Sequence, residues 1–110
     1  MRKLSIKRKK SFIGSTCRIF IYIETSNPSK AILLNGKLFE LVGTIANGKE
    51  LTVEISNKAT LVVVAYSRTM PEAFNTKFFV KEGQGHVVLY TKPHFSPFKG
   101  NPFSVSDKEF

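Results

Sequence analysis

Apolar side chains recur in short runs along this chain, and residues typical of turns separate the runs. Residues 4–7 alternate between apolar and polar side chains, as a half-buried strand does. Residues 18–23 are apolar on both faces and residues 60–66 form the most apolar run, so both segments are predicted to be central strands. No run longer than one turn has helical periodicity, although residues 71–74 could form one turn with proline at its start. The pattern predicts an all-β chain.

Two Asn-Gly pairs, at residues 35–36 and 47–48, are the strongest local signal. Both central residues of a type I′ turn need positive φ, so each pair predicts a tight hairpin, and residues 30–56 become a three-stranded antiparallel meander. Glu40 would then share the buried face, so we expect either that it lies at the margin of the core or that Gly43 forms a bulge that resets the register. We favour the bulge. The register places these side chains inward: Leu33, Leu38, Val42, Leu51, Val53 and Ile55.

The remaining strands complete a small β domain. Residues 76–80 and 86–90 are predicted to form a last hairpin around a glycine-rich turn. About 7–9 short strands result, which is typical of a single-domain antiparallel β-sandwich or a partly open barrel. A length of 110 residues corresponds to one domain. Residues 1–92 form its strand-rich body, and residues 93–110 form an extended tail.

The tail differs from the body in composition, because prolines alternate with phenylalanines. Proline interrupts regular structure, whereas burial of a phenylalanine side chain contributes roughly 1.5–3 kcal/mol. We expect the tail to pack on the body and to cover an open end or edge. In the alternative, its phenylalanines dock on another subunit or a protein partner. The candidate docking residues are Phe95, Phe98, Phe103 and Phe110.

The formal net charge of +9 is concentrated at the N-terminus. The first ten residues hold 6 of the 17 basic residues, and the other hundred carry 11 basic and 8 acidic residues, a net charge of 11 − 8 = +3. The candidate contacts for phosphate groups are Lys7, Arg8, Lys9 and Lys10. Strand alternation would place Lys3, Lys7 and Lys9 on one face. Arg8 and Lys10 would be on the other face, and we expect them to leave the strand and reach solvent where it ends. In the alternative, these residues only protect a sheet edge from pairing.

Residues suited to catalysis or metal binding are few. Cys17, His86 and His94 lack the spacing of metal ligands, and Cys17 precedes a strand rather than standing at a helix N-terminus that could activate its thiol. Glu50 and Glu54 share a strand face that we expect to be solvated. The sequence contains no phosphate-binding loop, dinucleotide fingerprint or zinc-protease motif. We predict a non-enzymatic protein without catalytic, cofactor-binding or metal-binding residues.

The cellular location of the protein is predicted from the lack of a membrane span and of a secretory signal in this sequence. No stretch approaches the ~18 apolar residues of a membrane span, and the apolar run after the basic N-terminal residues is too short for a secretory signal. A single cysteine excludes an intrachain disulfide. We expect a soluble, cytoplasmic protein for which membrane binding is disfavoured.

The opening of the chain resembles a group of small, uncharacterised bacterial β-sandwich proteins similar in style to PEGA-type domains. The likeness covers roughly the first sixty-five residues and departs at the Pro28 loop, at the Asn35-Gly36 hairpin and at the tail. The resemblance implies a compact non-enzymatic β fold that is often an accessory to other domains. The matching positions are Ile6, Arg8, Ser11, Phe12, Gly14, Asn47 and Gly48, followed by Leu51, Val53 and Ile55.

We therefore predict a non-enzymatic interaction or accessory module that binds a protein partner or itself. The alternative is a basic nucleic-acid-binding module that uses the N-terminal cluster of lysines and arginine. Binding of a single strand would also require exposed aromatic side chains. Phe12, Phe20 and Tyr22 are nearby in sequence, but their apolar neighbours indicate burial.

Overall fold

The structure is a computed structural model, which describes residues 1–11, 18–34, 36–65, 75–93 and 103–109. These residues contain nine strands and one turn of 3-10 helix at Pro28–Lys30. The strands are β1 (Arg2–Arg8), β2 (Ile19–Glu24), β3 (Ile32–Leu34), β4 (Lys37–Ile45), β5 (Glu50–Ile55), β6 (Thr60–Ala65), β7 (Asn75–Val80), β8 (Val87–Pro93) and β9 (Phe103–Ser106). In this part of the chain no helix is long and apolar enough to cross a membrane.

The strands form two packed sheets that do not close into a barrel. The four-stranded sheet has the order β5-β1-β8-β9, and the five-stranded sheet has the order β3-β4-β2-β6-β7. All neighbouring strands are antiparallel except β1 and β8, which are parallel. The prediction of an all-β sandwich is confirmed.

The main core lies between the two sheets. Period-two alternation supplies it, since every second residue of an inward-facing strand points to the opposite sheet. Its most buried side chains, each at most 8% exposed, are Leu4, Ile6, Ile19, Ile21, Ile23, Ile45, Ile55, Val62, Val64, Val80 and Leu89.

The outer face of the five-stranded sheet carries a second apolar cluster. Tyr22, Leu34, Phe39, Val63 and Ala65 are buried there, and Phe20, Leu41 and Leu61 pack against them. Both faces of β2 and β6 are therefore apolar, which explains why these two segments lack polar alternation. Their predicted positions in the interior of a sheet are confirmed.

The first Asn-Gly hairpin is confirmed in register but not in burial. Leu33 pairs with Leu38 and Leu34 pairs with Lys37, and Gly36 has a φ of +83°. However, Leu33 is 64% exposed, whereas Leu34 is 2% exposed on the opposite face. Leu33 faces the core side, as predicted, because it pairs with Leu38 on the face that Glu40 shares with Ile23. The expectation that it is buried is wrong, because β3 is the outermost strand of its sheet and, among the described elements, packs extensively only against β4.

The second Asn-Gly pair does not form a hairpin within one sheet. It has the expected tight turn, with Gly48 at a φ of +72°, but β5 pairs with β1 in the opposite sheet. The predicted meander is therefore wrong beyond β4. Val42, Leu51 and Val53 pack against the same core from opposite sheets and not along a shared ladder.

The predicted last hairpin is wrong for the same reason. β7 pairs with β6 in the five-stranded sheet, whereas β8 pairs with β1 and β9 in the other. A short turn connects two consecutive strands but does not decide whether they pair with each other. Each strand joins the sheet in which its apolar face can pack against the core.

The predicted bulge is present, although it lies against β2 rather than β5. Ile21 pairs with Gly43 and Tyr22 with Leu41, which leaves Val42 as the extra residue of β4. A Cβ on Gly43 would lie 2.9 Å from Leu51 Cδ1, so glycine also leaves room for that side chain. Glu40 is half-buried at the margin of the core.

Part of the tail joins the body as a strand. β9 pairs antiparallel with β8 as an edge strand of the four-stranded sheet, and Val105 packs against the main core. Phe95, Phe98, Phe110 and the predicted helical turn at 71–74 lie outside the described residues, as does the side chain of Phe103. The predicted docking role of these phenylalanines stays a prediction.

Candidate functional site

The N-terminal strand is an interior strand and not a sheet edge. β1 lies between β5 and β8 and pairs with both. The alternative that its lysines protect a free edge is therefore wrong. Lys3 and Lys7 are exposed on the outer face of the four-stranded sheet, and Lys9 and Lys10 follow the end of the strand and are also exposed.

Arg8 is buried, contrary to the expectation that it leaves the strand. It follows Leu4 and Ile6 on the inward face and is 3% exposed. One guanidinium nitrogen donates to the carbonyl oxygen of Ile45 over 2.9 Å, and the Arg8 amide donates to the carbonyl of Lys49 over 3.0 Å. Arg8 therefore links the end of β1 to the ends of β4 and β5.

Arg2 has the corresponding position at the opposite end of the sandwich and is 7% exposed. Its Nε donates to the carbonyl of Ser56 over 3.1 Å. One terminal nitrogen donates to the carbonyls of Lys58 and Lys81 over 3.1 and 2.8 Å. A guanidinium presents several donors in a rigid plane, so one side chain can hold two turns together.

The exposed lysines of β1 lie opposite acidic residues of β5. Lys3 pairs in register with Glu54, and Lys7 pairs with Glu50. Opposite charges at facing positions of an antiparallel pair interact favourably. Both carboxylates are exposed, as predicted. The outer face of β1 is therefore electrostatically balanced rather than a continuous positive stripe.

The residues that follow β1 lie against the second Asn-Gly turn. The Ser11 amide donates to Asn47 Oδ1 over 3.0 Å. Lys10 Cβ lies 3.3 Å from the position that a Cβ on Gly48 would occupy. Lys49, which ends the turn, is exposed, and its amide donates back into the turn. The turn therefore brings Lys10 and Lys49 to the same end of the sandwich.

A further cation reaches this end from β2. Ile19 pairs with Ile45, the last residue of β4, so Arg18 lies one position beyond that pair, at the end of the sheet where the turn begins. It is exposed. Arg18 and Lys49 were not among the predicted residues: the register of β2 against β4 places Arg18 at this end, and the pairing of β1 with β5 places Lys49 there. We call the exposed cations around this turn the basic end: Lys9, Lys10, Arg18 and Lys49.

Two cavities flank the end of β1. The first has a volume of about 300 Å³, and the second, toward β5, has a volume of about 270 Å³. The first is lined by Lys7, Arg8, Lys9, Tyr90, Thr91 and Glu109, and the second by Lys7, Arg8, Gly48, Lys49 and Glu50. Tyr90 pairs in register with Lys7 and is half-buried on the outer face of the sheet.

One contact has the composition of a nucleophile and its base. Ser5 Oγ lies 2.7 Å from His86 Nε2 and 2.8 Å from Thr52 Oγ1. A serine nucleophile has to be accessible to a substrate carbonyl, however, and Ser5 is only 3% exposed in the middle of β1. The arrangement therefore links β1, β5 and the residue before β8 by hydrogen bonds.

The described residues contain no group of three or more His, Cys, Asp or Glu side chains that could hold a metal ion. Cys17 and His94 lie outside this part of the chain. Glu24 is engaged structurally, because it accepts a hydrogen bond from the Leu61 amide over 3.1 Å and lies 3.8 Å from Lys37 Nζ.

A scan against protein-family models finds no match to this chain, and a search of curated proteins finds none either. The resemblance to PEGA-type domains therefore stays a prediction.

Proposed function

We propose that the protein is a non-enzymatic interaction module that docks on a protein strand through the edge formed by β3. One observation supports this proposal most directly. Ile32 and Leu33 are 42% and 64% exposed, and they are neighbours on an outermost strand.

The two side chains make both faces of this edge apolar. Successive residues of a strand point to opposite faces of its sheet, so Ile32 and Leu33 project on different sides. Full burial of such a side chain contributes roughly 1.5–3 kcal/mol of stabilisation. Because most of the Leu33 side chain is exposed, most of this free energy would be gained only when a partner covers it. A partner that covers the edge would therefore bury apolar surface on both faces at once.

The backbone of β3 favours an extended partner. Among the described strands, β3 pairs only with β4, and no described strand occupies its other side. Strand addition combines main-chain hydrogen bonds with contacts to alternate side chains. Because β3 has only three residues, the interface would be small and the binding transient.

The experiment measures binding at β3 by nuclear magnetic resonance. The ¹⁵N-labelled full chain is titrated with a capped peptide of alternating valine and threonine, and sedimentation equilibrium of the protein alone tests a second copy as the occupant. Shift changes centred on the amides of Ile32 and Leu33, or self-association that broadens them, are expected.

The variant Leu33→Lys is expected to abolish the response. Phe79→Lys is its matched control, since Phe79 is 58% exposed on β7 at the opposite edge of the same sheet. The proposal is overturned if neither the peptide nor a second copy affects β3 at millimolar concentration. It is also overturned if the two variants lose the response equally, because that result indicates general hydrophobic adhesion.

A further inference from the structure

We infer that the basic end and Tyr90 together form a binding site for single-stranded nucleic acid. The cations of the basic end would contact successive phosphates, and the ring of Tyr90 would stack on a base. This site is separate from the β3 edge, so either can fail without the other.

The charge at this end has the required sign. The four cations of the basic end and Lys7 face two carboxylates, Glu50 across the strand pair and Glu109 in the larger cavity. The set therefore has a net charge of 5 − 2 = +3. Exposed lysine and arginine side chains bind nucleic-acid phosphates with release of condensed counterions, and this term requires no particular base sequence.

Hydrogen bonds hold the backbone that carries these cations, at the end of β1 and in the Asn47-Gly48 turn. Arg8 donates to the carbonyl of Ile45 below the turn, and Ser11 donates to Asn47 within it. The backbone on which Lys10 and Lys49 stand is therefore fixed relative to the sheet. Arg8, which also lines both cavities, acts here as a positioning residue.

Tyr90 supplies the aromatic surface that single-strand binders use. It lines the cavity of about 300 Å³ together with Lys7 and Lys9, which is a volume at the lower end of known ligand pockets. A half-buried ring flanked by lysines allows a base to stack while its phosphates meet cations. Of the aromatic candidates in the sequence, Phe20 and Tyr22 lie instead in the outer cluster of the opposite sheet, and Phe12 lies outside the described residues.

Among the described residues, the exposed apolar side chains lie away from the basic end. Membrane-surface binding combines cations with apolar side chains that enter the headgroup region. The exposed large apolar residues of the described chain are Met1, Ile32, Leu33 and Phe79, and none of them lies at the basic end. Duplex DNA is less suited than a single strand, because its bases are already stacked and are not available to Tyr90.

The first test is the salt dependence of binding to a fluorescent oligothymidylate, measured by anisotropy on the full chain. Four phosphate contacts predict a slope of log K against log salt concentration of about −2.8, from roughly −0.7 for each contact on a single strand. The variant K10Q/K49Q is expected to reduce the slope to about −1.4. The matched control K58Q/K81Q removes two exposed charges near Arg2, at the opposite end, and is expected to keep the wild-type slope.

The second test separates stacking from charge. Tyr90→Leu removes the ring and is expected to weaken binding roughly 5- to 150-fold with an unchanged salt slope, whereas Tyr90→Phe retains the ring and the affinity. Thermal unfolding of each variant verifies that the fold is intact. Because Lys10 and Lys49 are exposed, the charge variants test the site even if Tyr90→Leu fails to fold.

Three outcomes would overturn the inference. The first is no binding at the lowest salt concentration, and the second is an equal loss of affinity in both double variants. The third is binding to vesicles of phosphatidylserine and phosphatidylcholine that depends on Lys10 and Lys49 while the oligonucleotide does not bind. That result would assign the basic end to a membrane.

Discussion

Removing the Arg2 guanidinium should loosen one end of the sandwich and destabilise the whole domain. Arg2→Met keeps most of the aliphatic stem but deletes the three hydrogen bonds to Ser56, Lys58 and Lys81. These carbonyls belong to turns connecting strands of both sheets. The substitution therefore tests whether a buried arginine, rather than apolar packing alone, holds the turns together.

The expected magnitude follows from the number and setting of these bonds. A hydrogen bond to a charged group contributes about 1.5–3 kcal/mol, but water can replace part of this at exposed turn carbonyls, so we use about 1 kcal/mol for each. The total loss is about 3 kcal/mol. A small domain loses roughly 4 °C in Tm per kcal/mol, so Tm should fall by about 12 °C.

The assay is urea denaturation followed by circular dichroism. With an m value of roughly 1.5 kcal/mol/M, the midpoint should fall by about 2 M while m stays constant. Arg2→Lys keeps the charge without the planar fork, and about half of the loss is expected. The Gly83 amide, which donates to the Asn57 carbonyl over 2.9 Å between the two turns, should exchange with solvent faster in Arg2→Met.

Two results would refute this reasoning. A loss below about 0.5 kcal/mol in Arg2→Met would mean that water replaces the guanidinium without cost. Equal stability of Arg2→Lys and wild type would mean that positive charge alone matters and that the three directed bonds do not.

Two further predictions concern a turn and the core. Gly48→Ala should destabilise by about 1–2 kcal/mol in urea, because alanine at a φ of +72° is strained and its Cβ would lie 3.3 Å from Lys10 Cβ. Gly36→Ala should cost less, since φ is also positive but nothing lies within 4 Å; equal costs would contradict a role for the Lys10 contact. Ile6→Ala should destabilise by about 2–5 kcal/mol in the same assay, because Ile6 is fully buried between the sheets, and a loss below about 1 kcal/mol would argue against this core.

The basic end shows how much of the candidate site could be predicted from the sequence. Lys9 and Lys10 are exposed at one end of the molecule, and sequence alone marked both. Arg8 could have been assigned inward from its spacing to Leu4 and Ile6, because residues two apart share a strand face. Arg18 and Lys49 could not have been added, since their proximity depends on pairing between strands distant in sequence.

Some features of this protein follow from the sequence by itself. Alternation and apolar runs determine that the chain forms strands, and the two Asn-Gly pairs determine tight turns at their positions. The β3–β4 register and the bulge near Gly43 could also be derived, because they depend on residues close together in the chain. Such features are decided by local backbone sterics and side-chain period.

Only the tertiary structure decided which strands share a sheet. β5 leaves a tight turn after β4 and still joins β1, because its apolar face covers the core from the opposite side. That choice places Glu50 and Glu54 opposite lysines of β1 and gathers the basic end around Gly48. Burial of apolar surface is collective and non-directional, so it selects partners that no local pattern specifies.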